Sequence, residues 1–208
     1  ESVFAIQFTA DTGQSFNGNI GGVLNFPNPG PFGSCCGFYQ PSQDLVNAFQ
    51  TDEDGLPLLD TFNAAGNDVA NDYGIADEDA FTPHTGPLDP RLDYTVGRRG
   101  IDYNGYGTFP GNSWIRATFA DISGPYLPSK NVYQSGDTDN QGTGAWGQQH
   151  SGINYNIIRF ADVLLMGAEA AVELNDLASD LTWVNMVRNR AKNMTYVQTG
   201  AGDADAGY

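Results

Sequence analysis

From Asn154 onward the chain changes character. NYNIIRFADVLLMGAEAAVELND places Ile157, Ala161, Leu164, Leu165, Ala168 and Val172 at helical intervals, and ASDLTWVNMVRNRAKN then repeats the pattern with Leu181, Val184, Val187 and Ala191. This spacing predicts two amphipathic helices, over 155–174 and 181–192, with Ser179 or Asp180 capping the second. Joined by about five residues, they form an antiparallel hairpin with Ala161, Leu165, Ala168, Val184 and Val187 at the interface. A lone hairpin cannot bury its outer apolar faces. It needs partner helices, and the rest of the sequence supplies none. The chain also begins at Glu1 without a methionine, so it reads as a piece of a longer polypeptide.

Everything before the hairpin is of another kind. Twenty-six Gly and eleven Pro are too many for a helical bundle, and they crowd the region before residue 150, where turns must be frequent. ESVFAIQFTA, alternating and rich in Val, Ile and Phe, predicts a strand. Residues 11–39 read as a long structured loop. Ser42 can N-cap a helix with Leu45, Val46 and Phe49 on its apolar face and Asp44 in its first turn. Asp54-Gly55 marks a turn. Residues 89–100 suggest a turn followed by a short strand, Trp114 to Ile122 suggests another strand, and SGDTDNQGTGAWGQQHSG reads as loop. The organisation expected is a loop-rich region with short strands and one helix over 1–150, the helical hairpin over 151–195, and a flexible tail over 196–208.

The charge is lopsided, with twenty-five acidic residues against nine basic ones and a net charge of −16. Such a chain repels phosphate backbones and anionic lipid head groups, which argues against nucleic acid as a partner and against binding membranes through a basic patch. No apolar run approaches the roughly 20 residues that cross a bilayer.

Motifs of covalent or metal chemistry are weak. His84 and His150 stand alone in polar loops without a metal-ligand spacing and read as surface residues. There is no Gly-x-Ser-x-Gly elbow and no phosphate-cradling loop. Any two of so many carboxylates could fall at glycosidase spacing, so pairs of acids carry no information by themselves. GDTDNQG and TDEDG resemble fragments of calcium loops but lack the bidentate acid at the twelfth position. The alternatives are a solvated turn or a structural Ca²⁺, for which Asp137 and Asp139 are the candidate ligands. No other cofactor is implied.

The hairpin carries a more specific signal. YNIIRFADVLLMGAEAAVELN followed by VNMVRNRAKN resembles the C-terminal repeat of the SusD/RagB family, through Arg159, Asp162, Leu164, Ala168, Glu169, Ala170, Asn185, Arg188, Arg190 and Ala191. Three more stretches match in the same order: ESVFAIQF, PSQDLVNAFQTDEDG and LDPRLDYTV. The family's lipidated cysteine, its N-terminal helical repeats and the Glu-Arg-Arg-rich segment that normally follows the hairpin are not in this sequence. The resemblance implies a mainly α protein with irregular loops and short β segments, a partial TPR-like α–α superhelix of SusD type.

Function follows by the same resemblance. It implies a surface-exposed lipoprotein of the cell outer membrane that binds glycans, or in one branch peptides, without cleaving them. Its ligand would pass to a SusC-like, TonB-dependent transporter, and the membrane would be reached only through a lipid anchor that this sequence does not include. A secreted glycoside hydrolase is the competing class. In the family, ligand contacts come partly from loops after the ESVFAIQF-like strand. A flat aromatic ring suits the C–H face of a pyranose, so Phe26, Phe32, Phe38 and Tyr39 are candidate binding residues, with Trp114 and Trp146 as second candidates. Packing is the alternative for each. Trp183 lies within a helix and reads as structural; Arg188 and Arg190 read as partners of Glu169 or of helix carbonyls. An exported protein matures where thiols oxidise. Adjacent Cys35 and Cys36 therefore suggest a vicinal disulfide, flanked by Gly33 and Gly37, over two reduced thiols.

Overall fold

A computed structural model of the chain describes residues 2–10, 24–32, 37–116, 124–143 and 149–194. In chain order its elements are β1 (Ser2–Ile6), α1 (Gln43–Asn47), β2 (Val96–Gly97), β3 (Leu127–Pro128), β4 (Gln141–Thr143), β5 (Gln149–Ser151), β6 (Tyr155–Arg159), α2 (Phe160–Glu173) and α3 (Leu177–Lys192), with 3-10 turns at Gly30–Phe32 and Asn112–Trp114. They fall into two compact units, one of residues 2–7 with 154–194 and one of residues 8–153. The expected superhelix is represented by a single helical hairpin.

In the helical unit, β1 pairs antiparallel with β6, Phe4 opposite Ile158 and Ile6 opposite Tyr155. The first strand therefore belongs with the helices and not with the loop-rich region that follows it in sequence. Residues 155–159, expected as the first turn of a helix, are this strand. Tyr-Asn-Ile-Ile alternates as well as it spirals, and the available partner β1 decides the conformation. The helix starts at Phe160, where Asp162 accepts the backbone N–H of Arg159 at 2.8 Å and also takes its guanidinium. These hydrogen bonds hold the Asp162 carboxyl below the usual range.

The turn between α2 and α3 is tighter than five residues. Asn175 adopts φ +58°, its N–H donates to the Val172 carbonyl, and the N–H of Asp176 donates to the Ala171 carbonyl. That pattern satisfies the orphan carbonyls at the end of α2. Asp176 then caps α3 by accepting from the Ser179 amide at 3.2 Å, so the cap falls earlier than Ser179 or Asp180. One left-handed residue thus sets the hairpin. Asn175→Val is expected to destabilise the helical unit by about 1–2 kcal/mol, because a β-branched residue resists the left-handed region; Asn175→Gly should leave it unchanged or firmer. Thermal unfolding followed by far-UV circular dichroism would show the difference.

The helices meet on small residues. Ala168, Ala171 and Ala191 are buried, and the Trp183 ring lies against Gly167, where a Cβ would stand 3.2 Å from it. The inward stripe of α2 runs from half-buried Ala161 and Leu164 to buried Ala168 and Ala171, and Leu165, expected at the interface, lies to its side and is 45% exposed. Val163, Leu165, Met166, Val172, Leu177 and Leu181 are all exposed. A stripe of small residues is narrower than the apolar stripe the sequence presents, so the surplus faces outward.

The loop unit is built around two apolar clusters rather than around regular structure. One gathers Phe26, Phe32, Tyr103, Phe109, Ile115, Leu127, Val132 and Tyr133; the other gathers Val46, Val69, Leu88, Leu92, Val96 and Tyr126. The two-residue ladder of β2 and β3, with Gly97 opposite Leu127, contributes to both. Position 97 must be glycine, because a Cβ there would stand 2.5 Å from the Tyr103 ring. Burial raises the Tyr103 phenol pKa and keeps its proton for the Pro128 carbonyl, 2.6 Å away.

Three readings of this unit need correction. The polar stretch around residues 136–152 contains the β4/β5 pairing, Gly142 opposite His150. No apolar alternation announces it; instead Gln149 donates to the Phe32 carbonyl at 2.8 Å and accepts from the Tyr133 hydroxyl at 2.6 Å. His150 is buried in this pairing, not on the surface. Ser42 does cap α1, accepting from Leu45 N–H, but Leu45 faces solvent and the buried face pairs Val46 with Asn47.

Candidate functional site

The site of interest grows from the way residues 37–39 return to residues 24–26. Gly37 donates to the Phe26 carbonyl at 2.8 Å, and Phe38 and Tyr39 both donate to the Leu24 carbonyl at 3.1 and 3.4 Å. Gly37 sits at φ +64°, and a Cβ there would only touch Arg116 and the backbone of Asn28 at 3.4 Å. The left-handed backbone at this position favours glycine, and the two aromatics that follow it face outward.

The aromatic candidates separate into two sets. Phe26 and Phe32, 0% and 5% exposed, are packed inward. Phe26 meets Phe32 edge-on at 5.1 Å and Tyr133 at 5.0 Å, and Phe32 meets Tyr106 at 4.7 Å. Their rings are sealed in the core and offer no face to a ligand, so packing is their role. Phe38 and Tyr39 are 45% and 55% exposed. Arg116 holds its guanidinium 4.6 Å from the centre of the Phe38 ring, a stacking distance that orients both groups.

Trp114 is half-buried. It lies over Gly30, whose Cβ would stand 3.1 Å from the indole, and it contacts Phe109 and Tyr103 at 5.8 and 6.1 Å between centroids. Its packing positions the residues after it, because Ile115 points into the core and Arg116 points back toward Phe38. Arg116 itself escaped the sequence reading. Only the chain crossing that brings residue 116 to residue 38 shows it. Trp146, Cys35 and Cys36 lie outside the described residues.

The calcium-like stretches behave as turns where they are described. Asp137 accepts from the backbone and side-chain nitrogens of Asn140 at 3.3 and 2.8 Å, and Asp139 is exposed. Asp52 likewise accepts from the amides of Asp54 and Leu56. Among the described residues no three His, Cys, Asp or Glu are grouped to hold a metal ion. His84 accepts from the Ala70 amide at 3.3 Å; burial and the nearby Arg98 charge lower its pKa.

The helical unit has a recess of its own, of about 540 Å³, with an apolar floor of Phe160, Leu164, Met186 and Val187 and with Arg159 and Arg190 at its rim. None of the aromatic candidates lines it. No helix among the described residues is long and apolar enough to cross a membrane.

Comparison with known proteins agrees with the pattern of the hairpin and of the loops before it. A search of curated proteins returns no match. A family model, that of the SusD family, matches residues 1–206. Proteins of this family are nutrient- and glycan-binding components of SusC/SusD-type uptake systems, generally non-catalytic and generally associated with the outer membrane. A match over nearly the whole sequence, on a structure that pairs a helical hairpin with a loop unit presenting outward aromatics, places the conclusion beyond a local likeness: this chain belongs to the SusD family.

Proposed function

We propose that this chain binds glycans at the bacterial surface without cleaving them and delivers oligosaccharides to a SusC-like, TonB-dependent outer-membrane transporter. The observation that carries the binding site is the outward Phe38–Tyr39 pair with the Arg116 guanidinium over the Phe38 ring. An exposed ring presents an apolar face to the C–H side of a pyranose. A guanidinium offers fixed N–H donors to ring hydroxyls. Holding both groups in place before the ligand arrives reduces the ordering cost of binding. Trp114, packed against Phe109 and Tyr103 two residues before Arg116, anchors the segment that carries this guanidinium, and Trp146 is retained as a second contact residue.

A glycan and peptide array on the intact protein tests the reading, with the released material checked for shorter products. Binding of oligosaccharides without product release is the expected result. Phe38→Ala and Tyr39→Ala should each weaken that binding about tenfold, equal to about 1.4 kcal/mol, and leave the fold intact. Full affinity in both variants would move the site elsewhere. Capture of peptides alone would make this a peptide-binding member of the fold, and release of shortened sugar would replace the binding role by hydrolysis.

A further inference from the structure

A second concentration of charge in the loop unit lies beneath residues 111–116, the segment that carries Arg116 to the Phe38 ring. Asp72 is only 2% exposed, and its Oδ2 has no hydrogen-bond partner. The cation beside it is Arg99, 3.8 Å away. That guanidinium is largely committed elsewhere: it donates to the carbonyls of Ala76, Asp77 and Asp79 at 3.2, 2.8 and 2.7 Å and lies against the Phe81 ring at 5.4 Å. Asp77 faces Asp72 across Gly111. A Cβ at Gly111, where φ is +125°, would stand 2.8 Å from Asp72 Oδ2 and 2.8 Å from Asp77 Oδ1. The two carboxyl groups therefore converge on one stretch of backbone, which has room for no side chain.

Of the two carboxylates, Asp77 ties the segments together. The Ser113 amide donates to both oxygens of Asp77 at 3.1 and 3.3 Å, and Asn112 donates to the Ile75 carbonyl at 2.9 Å. Loop 72–79 is thereby stitched to the base of segment 111–116. A metal ion does not suit this place, because Arg99 already supplies the cation and the Gly111 backbone fills the point of convergence. A proton does. The groups whose fields connect with Asp72 are Arg99, Asp77 and Tyr126; Tyr126 stays neutral because burial raises its phenol pKa. Desolvation outweighs the carboxyl's hydrogen bond to its own backbone amide and the attraction of Arg99, and the Asp72 carboxyl is pushed up from 3.8 to about 6.

We propose that Asp72 and Asp77 form a proton-operated latch: a proton on Asp72 seats segment 111–116 against loop 72–79, and its loss loosens that seat and the Arg116–Phe38 platform above it. Two anions then face each other over Gly111 with one partly committed arginine between them, an arrangement that a buried site tolerates poorly. The meaning of this for ligand binding rests on the glycan-site reading. The latch itself does not.

The sign is set by the direction of the shift. A carboxyl whose pKa is higher in the seated form stabilises that form fully below the unseated value of 3.8, and the stabilisation falls as pH rises toward about 6 and stays flat above. Amide hydrogen exchange on the intact protein across this window, corrected for the intrinsic chemical rate, reads it directly. Protection of the Ser113 amide should fall tenfold or more, since each unit of pKa separation is a factor of about ten. The Phe38 amide, bonded to the Leu24 carbonyl at 3.1 Å, should follow it. The Ser129 amide, bonded to the Thr95 carbonyl at 3.0 Å, serves as the control and should stay level. Asp72→Asn, which cannot ionise, should abolish the slope at Ser113. A slope that persists in Asp72→Asn, or that Ser129 shares, would overturn the latch, and the Ser113–Ser129 comparison in the parent protein decides the matter even if the variant fails to fold. A slope at Ser113 without one at Phe38 would overturn the coupling to the platform. None of these outcomes depends on a ligand, so failure here is distinct from failure of the array.

Discussion

Asn47→Leu is expected to lower the stability of the loop unit by about 3–5 kcal/mol, the sum of several buried polar groups left unpaired. Asn47 is 1% exposed on the inner face of α1, and every hydrogen-bonding position of its amide is used. Its Nδ2 donates to Asn63 and Asp68 at 2.9 and 2.7 Å, and its Oδ1 accepts from Gln43 and from the Val69 amide at 2.7 and 3.0 Å. One turn to either side the same stripe continues. Gln43 accepts from Asn71 and Tyr126, and Gln50 donates to the carbonyls of Phe62 and Asn67. A stretch from 62 to 71 with almost no regular structure is thus held by three side-chain amides, two on one short helix and the third, Gln50, just past its end. Leucine fills the space of asparagine but leaves the Val69 N–H and the Asp68 carboxylate without their partner. Chemical denaturation, with exchange at the Val69 amide as the local readout, measures the loss; a loss under about 1 kcal/mol would mean that the hydrophobic cluster around Val46 holds this region without the amides.

Phe26→Ala carries the other large effect, about 3–5 kcal/mol, because the ring is fully buried and its removal leaves a cavity among Phe32 and Tyr133 that rigid rings cannot collapse to fill. Phe38→Ala, twelve residues later in the same loop, should stay within about 1 kcal/mol, since the ring is 45% exposed and its stacking with Arg116 lies at the surface. The pair of measurements checks the division of the loop into an inner and an outer aromatic set. Equal losses in the two variants would erase it, and with it the reason for placing the platform at Phe38.

Much of the helical unit was legible because its rules are local. Periodicity in residues 154–192 announces two helices, and the match of Arg159, Asp162, Arg188 and Arg190 to a family pattern needs no coordinates. Its errors are those of local rules as well. The run Tyr155 to Arg159 suits either period, and only the pairing with β1 makes it a strand. Leu165 and Ala168 look equivalent on a helical wheel, and the closeness of Trp183 to Gly167 selects the side that is buried.

The loop unit resists reading for a different reason: its structure is carried by contacts between residues far apart in sequence. Phe26, Phe32, Phe38 and Tyr39 share a composition and a neighbourhood, and nothing local distinguishes the buried pair from the exposed one. By itself the sequence determined the existence of the hairpin, the strand at Ser2–Ile6, the cap at Ser42, the turns that glycine permits, and the family, because each depends on short-range backbone preference or on a motif contiguous in the chain. The tertiary structure alone decided which aromatics face outward, that Arg116 stacks on one of them, that Asn47 is buried as a polar residue, and that Asp72 and Asp77 meet over Gly111, because each of these is a matter of which distant segment arrives to exclude water or to supply a partner.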